Sequence, residues 1–143
     1  MILLDILRVK GRSVHTISPD ATLADVVRRL VDKNCGSLVV CDDGGDMVGI
    51  ITERDVLRAC AKRIDSPLSK MHVRDHMTTN VVTADPASNV NDVMGMLTDH
   101  RIRHLPVLEE GKLAGLISIG DVVKAQHDQL CMENHYLKNY IQS

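Results

Sequence analysis

Gly49-Ile50-Ile51-Thr52-Glu53-Arg54-Asp55 returns 66 positions later as Gly115-Leu116-Ile117-Ser118-Ile119-Gly120-Asp121. Each copy has a glycine, two apolar residues, a hydroxyl, and an aspartate three residues beyond the hydroxyl. The likeness extends upstream at an offset of 67. There Leu38-Val39-Val40 falls on Leu105-Pro106-Val107, and Leu23, Val26, Val27 and Leu30 fall on Val90, Val93, Met94 and Leu97. Ser18-Pro19-Asp20-Ala21 falls on Asp85-Pro86-Ala87-Ser88. The slip of one residue lies where Asp42-Asp43-Gly44-Gly45-Asp46 is answered by the shorter Glu109-Glu110-Gly111, a glycine-containing turn of the kind that tolerates an indel. The chain is written twice, and an internal repeat fixes the architecture before anything else does.

Each copy reads as the same unit. A short strand (Val14–Ile17, Val81–Thr83) ends at a proline. Thr22 or Asn89 then caps a helix whose apolar residues recur at i, i+3, i+4 and i+7. A second strand (Ser37–Cys41, His104–Leu108) and the acidic glycine turn follow. A third strand (Met47–Ile51, Leu113–Ile117), apolar enough to be buried on both faces, runs into a second helix starting near Thr52 or Ser118. The polar stretch Lys62–Lys70, with Ser66-Pro67, reads as a linker. The expected fold is α/β: two β-α-β-β-α repeats, 1–68 with the linker and 69–143 with a C-terminal helical extension. A unit of about 65 residues leaves a marginal core, so the repeats are expected to pack together about a pseudo-two-fold axis. The last helix continues through Gln126–Ile141, and its stripe of Leu130, Leu137 and Ile141 calls for docking on a partner or on the body of the module.

Composition narrows the function. The chain has 143 residues, 44% of them apolar and 25% charged, with no Trp, no Phe and two tyrosines. So few aromatics leave no stacking platform for single-stranded nucleic acid. A net charge of −2 and a pI near 6.4 give no field to attract a polyanion. Met1–Asp5 is too short and too soon charged for a signal peptide, and no apolar run reaches the length of a membrane span. Cys35, Cys41, Cys60 and Cys131 lack C-x-x-C spacing and read as reduced packing thiols. The expectation is a cytoplasmic protein with no membrane and no nucleic-acid partner.

The ordered set of motifs resembles a tandem pair of cystathionine-β-synthase-type (CBS) domains over nearly the whole chain. The residues that carry it are Ser18-Pro19, Gly36-Ser37-Leu38-Val39-Val40 and Gly49–Asp55, then Met77-Thr78, Arg101–Val107 and Gly115–Asp121. With no catalytic domain attached, the chain looks like the stand-alone bacterial pairs. The resemblance implies a nucleotide cleft between the repeats, closed by the hydroxyl–aspartate segment. The hydroxyl and helix N-terminus would meet phosphate, and the aspartate would hold the ribose diol. Both copies are complete, Thr52 with Asp55 and Ser118 with Asp121. By the same resemblance the adenine would lie in an apolar slot, lined at the Asp121 cleft by Ile17, Ser18, Met47 and Leu116, and at the Asp55 cleft by Ala84, Asp85, Leu113 and Ile50. Arg103 and His104 stand where the family often faces phosphate. The first repeat has Gly36-Ser37 there, with Arg54 as partial compensation.

Each motif also has a structural reading. Hydroxyl-x-x-Asp is a capping box with Asp at its third position. The two roles are compatible, because a helix N-terminus is already an anion site and a carboxylate accepts from cis hydroxyls. His100 and Arg101 suit a solvated helix end, and the apolar slot residues suit a plain core. His72 with His76, and His100 with His104, lack a third ligand, so no metal is expected. The resulting expectation is a sensor of adenine nucleotides, AMP first, with ATP, ADP and NAD(H) as alternatives sharing adenosine. It would assemble as a homodimer and act on an unidentified regulated protein through a change of shape or assembly. An enzyme is not expected, since no nucleophile, metal carboxylate pair or general base accompanies the cleft. The rival is a ligand-free pair that only dimerises and docks a partner.

Overall fold

A computed structural model describes residues 1–142 of the chain. The order is α1 (Leu3–Lys10), β1 (Thr16–Ile17), α2 (Leu23–Lys33), β2 (Ser37–Cys41), β3 (Met47–Thr52) and α3 (Glu53–Lys62). A single 3₁₀ turn (Leu68–Lys70) and α4 (Val73–His76) link these to α5 (Val90–Asp99), β4 (His104–Glu109), β5 (Lys112–Ser118) and α6 (Ile119–Gln142). This is the doubled α/β unit. Thr22 and Asn89 cap α2 and α5 through their side chains.

The two sheets are built alike. β2–β3 and β4–β5 are antiparallel, and each ladder shifts register at the matched places Val40/Cys41 and Val107/Leu108. The turns account for the indel. Glu110 and Gly111, both at positive φ (53° and 78°), make a two-residue hairpin of the mirror-image type that suits twisted strands. In the first repeat Asp42 and Asp46 instead close a longer turn around Gly45, with φ 83°.

The first strands depart from expectation. β1 holds only Thr16–Ile17, parallel to β2, and the strand expected at Val81–Thr83 is absent, leaving one bridge between Ala84 and Val107. Pro106 supplies the reason. In the first repeat the Val39 N–H donates to the His15 carbonyl at 3.1 Å. The counterpart of Val39 is Pro106, which has no N–H to give. The parallel ladder therefore shrinks to the Ala84 N–H on Pro106 O and the Leu108 N–H on Ala84 O.

Each core is completed from the other half of the chain. Leu3, Ile6 and Leu7 of α1, spaced i, i+3, i+4, are buried with Val90, Val93, Leu97, Leu105, Val107, Ile117 and Val122 of the second repeat. Backbone bonds fasten them, from the Leu3 and Leu4 N–H groups to Ser88 and Pro86 carbonyls and from Val90 N–H to Met1 O. Reciprocally, Met71 and Val73 are buried in the first core with Leu23, Val26, Leu30, Leu38, Val40 and Ile51. Leu23 N–H donates to Met71 O, and Val73 N–H to Ala21 O. Packing thus crosses the division of the sequence at 68/69, and the segment before each first strand docks on the opposite repeat.

Beyond the body, α6 continues with its stripe open. Leu130, Leu137 and Ile141 are 59%, 58% and 80% exposed, so docking on the body, one of the two expectations for this stripe, is not what these residues do. The cysteines are free; Cys35, Cys41 and Cys60 are half-buried rather than fully buried, and Cys131 is exposed. Among the described residues no helix is long and apolar enough to cross a membrane.

Candidate functional site

Alternation along the strands decides which residues are left for a site. Leu38, Val40 and Ile51 enter the first core, which turns Ser37, Val39, Ile50 and Thr52 to the opposite face, paired Ser37↔Thr52 and Val39↔Ile50. Leu105, Val107 and Ile117 enter the second core and turn His104, Pro106, Leu116 and Ser118 away, paired His104↔Ser118 and Pro106↔Leu116. Val39 and Ile50 are buried yet belong to neither core, so this opposite face is covered too. Five of the expected site residues, Ile50, Thr52, His104, Leu116 and Ser118, share it.

The repeats meet at the strand starts. A Cβ added to Gly36 would lie 3.4 Å from His104 Cε1 and 3.7 Å from Glu53 Cδ. The imidazole thus lies in van der Waals range of the Gly36 backbone position. Burial pushes the His104 pKa down; Glu53 and Asp121 oppose that shift, while Lys10 and Arg103 add to it. Burial thus favours the neutral form of an imidazole held among charges from both repeats. Ser37, its positional counterpart, is buried, and its hydroxyl has no hydrogen-bond partner among the described residues.

Both aspartates are capping residues, as the structural reading required. Asp55 Oδ2 accepts from the Thr52 N–H at 3.0 Å while the Asp55 N–H donates to Thr52 Oγ1 at 3.3 Å. Asp121 Oδ2 accepts from the Ser118 N–H at 2.9 Å while the Asp121 N–H donates to Ser118 Oγ at 3.1 Å. What each carboxylate does beyond its cap differs. Buried Asp55 takes the Thr78 hydroxyl at 3.2 Å on Oδ1. Asp121 takes the Lys10 ammonium at 2.6 Å, again on Oδ2, and Lys10 also donates to the Leu116 carbonyl at 2.7 Å. Burial pushes the Asp121 carboxyl up, but the bonds from Lys10 and Ser118 and the charge of Lys10 outweigh it and hold the group below the usual carboxylate range.

The motif glycines answer to the same crossing segments. A Cβ on Gly49 would sit 2.8 Å from the Thr78 carbonyl and 2.9 Å from Met77 Sδ; one on Gly115 would sit 2.6 Å from Leu7 Cδ2. Thr78 also bridges to Ile50 through two backbone bonds. Each third strand is thus overlain by the segment entering the opposite first strand.

The remaining expected residues are scattered around these centres. Arg54 and Arg103 are exposed. Met47 pairs with Cys41 and Leu113 with Leu108. Ile17 and Ala84 pack partly against the cores of their own repeats. Ser18 Oγ accepts from the Asp20 N–H at 3.1 Å, and Asp85 Oδ1 from the Ala87 N–H at 2.8 Å, so both side chains close local turns. Ile17 and Ser18 line a groove of about 790 Å³ beside α2. Asp121 lines a different one, about 610 Å³, between α1 and α6, together with Lys10. His100 and Arg101 are exposed at the end of α5, Arg101 in the left-handed region at φ 53°. Among the described residues no three His, Cys, Asp or Glu side chains converge as a metal site. Sequence reasoning missed Lys10, Thr78, Gly36 and Glu53 as neighbours of the charged groups. Thr78 and Gly36 lay inside quoted motifs without a role, and Lys10 carried no signal except its place at the end of an i, i+3, i+4 pattern.

Comparison with known proteins agrees with this fold. The CBS-domain family model matches residues 6–62 and 73–128. The mitochondrial CBS domain-containing protein CBSX3 of Arabidopsis thaliana is 37% identical over 96% of this chain and 70% of its own length. The CBS-domain protein ATU1752 of Agrobacterium tumefaciens superposes with a TM-score of 0.85 at 40% identity, over 88% of this chain and 99% of that one. CBSX2, solved in complex with AMP, superposes with a TM-score of 0.72 at 29% identity, over 82% and 90% of the two chains.

Proposed function

Because this chain belongs to the CBS-domain family, as a pair of CBS domains, we propose that it binds an adenine nucleotide, AMP first among AMP, ADP, ATP and NAD(H), and transmits nucleotide level to a partner protein. The observation that carries the reading is the matched pair of carboxylates. Asp55 and Asp121 each sit in the first turn of a helix, and each reaches beyond its cap to a further donor. At Asp55 that donor is a hydroxyl, the group a ribose diol would supply. At Asp121 every hydrogen bond goes to Oδ2, which leaves Oδ1 for one. The helix N-termini beside them favour phosphate. The AMP complex of CBSX2 supports the choice of ligand.

The site residues we assign are Thr52, Asp55 and Ile50 with Ala84, Asp85 and Leu113 at one cleft, and Ser118, Asp121 and Leu116 with Ile17, Ser18 and Met47 at the other, with Arg54, Arg103 and His104 toward phosphate. Mass spectrometry of ligand released from freshly purified, denatured protein tests the reading. Adenine nucleotide should be found, and added AMP should raise the melting temperature where CMP does not. A ligand at 100 times its dissociation constant adds about 2.7 kcal/mol. Equal shifts with AMP and CMP contradict the proposal, and steady consumption of the nucleotide would make the protein an enzyme instead.

One observation favours a second reading alongside the first. The exposed stripe of α6 leaves Leu130, Leu137 and Ile141 uncovered, which suits a homodimer that docks a partner without any ligand. Light scattering of dilute protein should give about twice the 15.8 kDa chain mass. A nucleotide-free dimer with no thermal response would leave docking as the whole function.

A further inference from the structure

The two clefts differ in what covers the aspartate. Asp55 is met by the neutral hydroxyl of Thr78. Asp121 is met by the ammonium of Lys10, which also holds the carbonyl of Leu116 at 2.7 Å. We propose that Lys10 is the residue that makes the Asp121 cleft selective for ligands carrying a phosphate. The proposal rests on the reading of Asp121 as the ribose-holding carboxylate.

The argument runs from competition. A ribose diol that takes both oxygens of Asp121 must share Oδ2 with the ammonium or displace it, and the Leu116 carbonyl alone is a poor substitute for a carboxylate. A nucleoside offers Lys10 nothing in return. A nucleotide brings its own anion, and a lysine is a flexible point charge able to swing to it. Lys10 and Asp121 are only partly covered, their side chains 36% and 25% exposed, so the exchange needs no backbone opening. The pivot is also fixed. Lys10 is the last residue of α1, whose Leu3, Ile6 and Leu7 are locked in the second core, and Gly11 turns the chain away at φ 97°. The lysine can thus change partners while the helix stays. At the Asp55 cleft the loss of one neutral hydroxyl contact imposes no such demand, so that cleft should distinguish nucleotide from nucleoside less sharply.

The test is calorimetric titration with AMP and with adenosine, on an Asp55→Asn background that leaves the Asp121 cleft to be read. With Lys10 present, AMP should bind at least tenfold more tightly than adenosine. Lys10→Met should weaken AMP about tenfold, as the loss of one charge-assisted hydrogen bond does, and should strengthen adenosine severalfold. Lys10→Arg should restore the preference. AMP binding that appears only after Lys10→Met overturns the proposal, since the lysine would then block the cleft instead of selecting for phosphate. Equal shifts of AMP and adenosine on Lys10→Met overturn the role of Lys10 while leaving nucleotide binding standing. If no variant and no parent binds either ligand, the ribose reading of Asp121 fails, and the proposal with it.

Discussion

Replacing Leu7 by alanine tests whether the first helix is structural to the second repeat. Leu7 is 1% exposed and packs with Leu3, Ile6, Val90, Val93 and Leu105. Truncating a buried leucine costs about 2–5 kcal/mol, depending on how far the site collapses. At the margin formed by an eight-residue helix, about 3 kcal/mol is expected, roughly a 10 °C fall in melting temperature for a chain near this size. Gly115 sharpens the test, because a methyl there would sit 2.6 Å from Leu7 Cδ2. Gly115→Ala alone should therefore be destabilising, as overpacking commonly is by about 1–3 kcal/mol. In the Leu7→Ala background the added methyl has space, and the two changes should be non-additive by about 1 kcal/mol or more. Urea unfolding followed by far-ultraviolet circular dichroism, at fixed protein concentration, gives all four corners of the cycle. A cost below 1 kcal/mol for Leu7→Ala, or additivity within about 0.5 kcal/mol, would refute the packing of α1 on the second sheet.

Two further outcomes follow from the same contacts. Gly49→Ala should cost more than Gly115→Ala, about 3 kcal/mol by the same overpacking scale, because its methyl meets the Thr78 backbone carbonyl, itself bonded to Ile50, rather than a side chain that can turn; equal or smaller loss in urea unfolding would contradict this. His104 has a folded-state pKa lowered by burial, so between that value and the unfolded value near 6.5 the unfolded chain holds the extra proton, and stability must fall as pH drops below about 6.5. His104→Gln should flatten that slope in thermal unfolding from pH 7 to pH 5, and an unchanged slope would show that His104 is not its source.

Hydrophobic spacing made most of the fold readable. The 3.6-residue pattern of Leu23, Val26, Val27 and Leu30, and the unbroken runs Ser37–Cys41 and Leu113–Ile117, admit few other structures, and the strands differ from expectation mainly by a residue at their ends. The strand expected at Val81–Thr83 does not form because its neighbour, Pro106, lacks the donor it needs, and local sequence does not show that pairing. The site was legible in part. The hydroxyl–aspartate pairs announce themselves by capping chemistry, which is local, and the structure shows both caps formed. Their outer partners, Lys10 and Thr78, lie 111 and 23 residues away, and no periodicity reports such a contact. The exchange of segments between the cores was equally hidden, since Met71 and Val73 sit in a stretch too short to show a period.

The most direct measurement is calorimetric titration of AMP into the wild-type protein and into Asp55→Asn, Asp121→Asn and the double variant. Two sites should be seen in the wild type and one in each single variant, with the affinity of the altered cleft at least tenfold weaker, as expected for losing charged hydrogen bonds of about 1.5–3 kcal/mol. The double variant should bind none while keeping its fold. AMP binding that persists undiminished in the double variant, or no binding by the wild type, would contradict nucleotide recognition by these two aspartates.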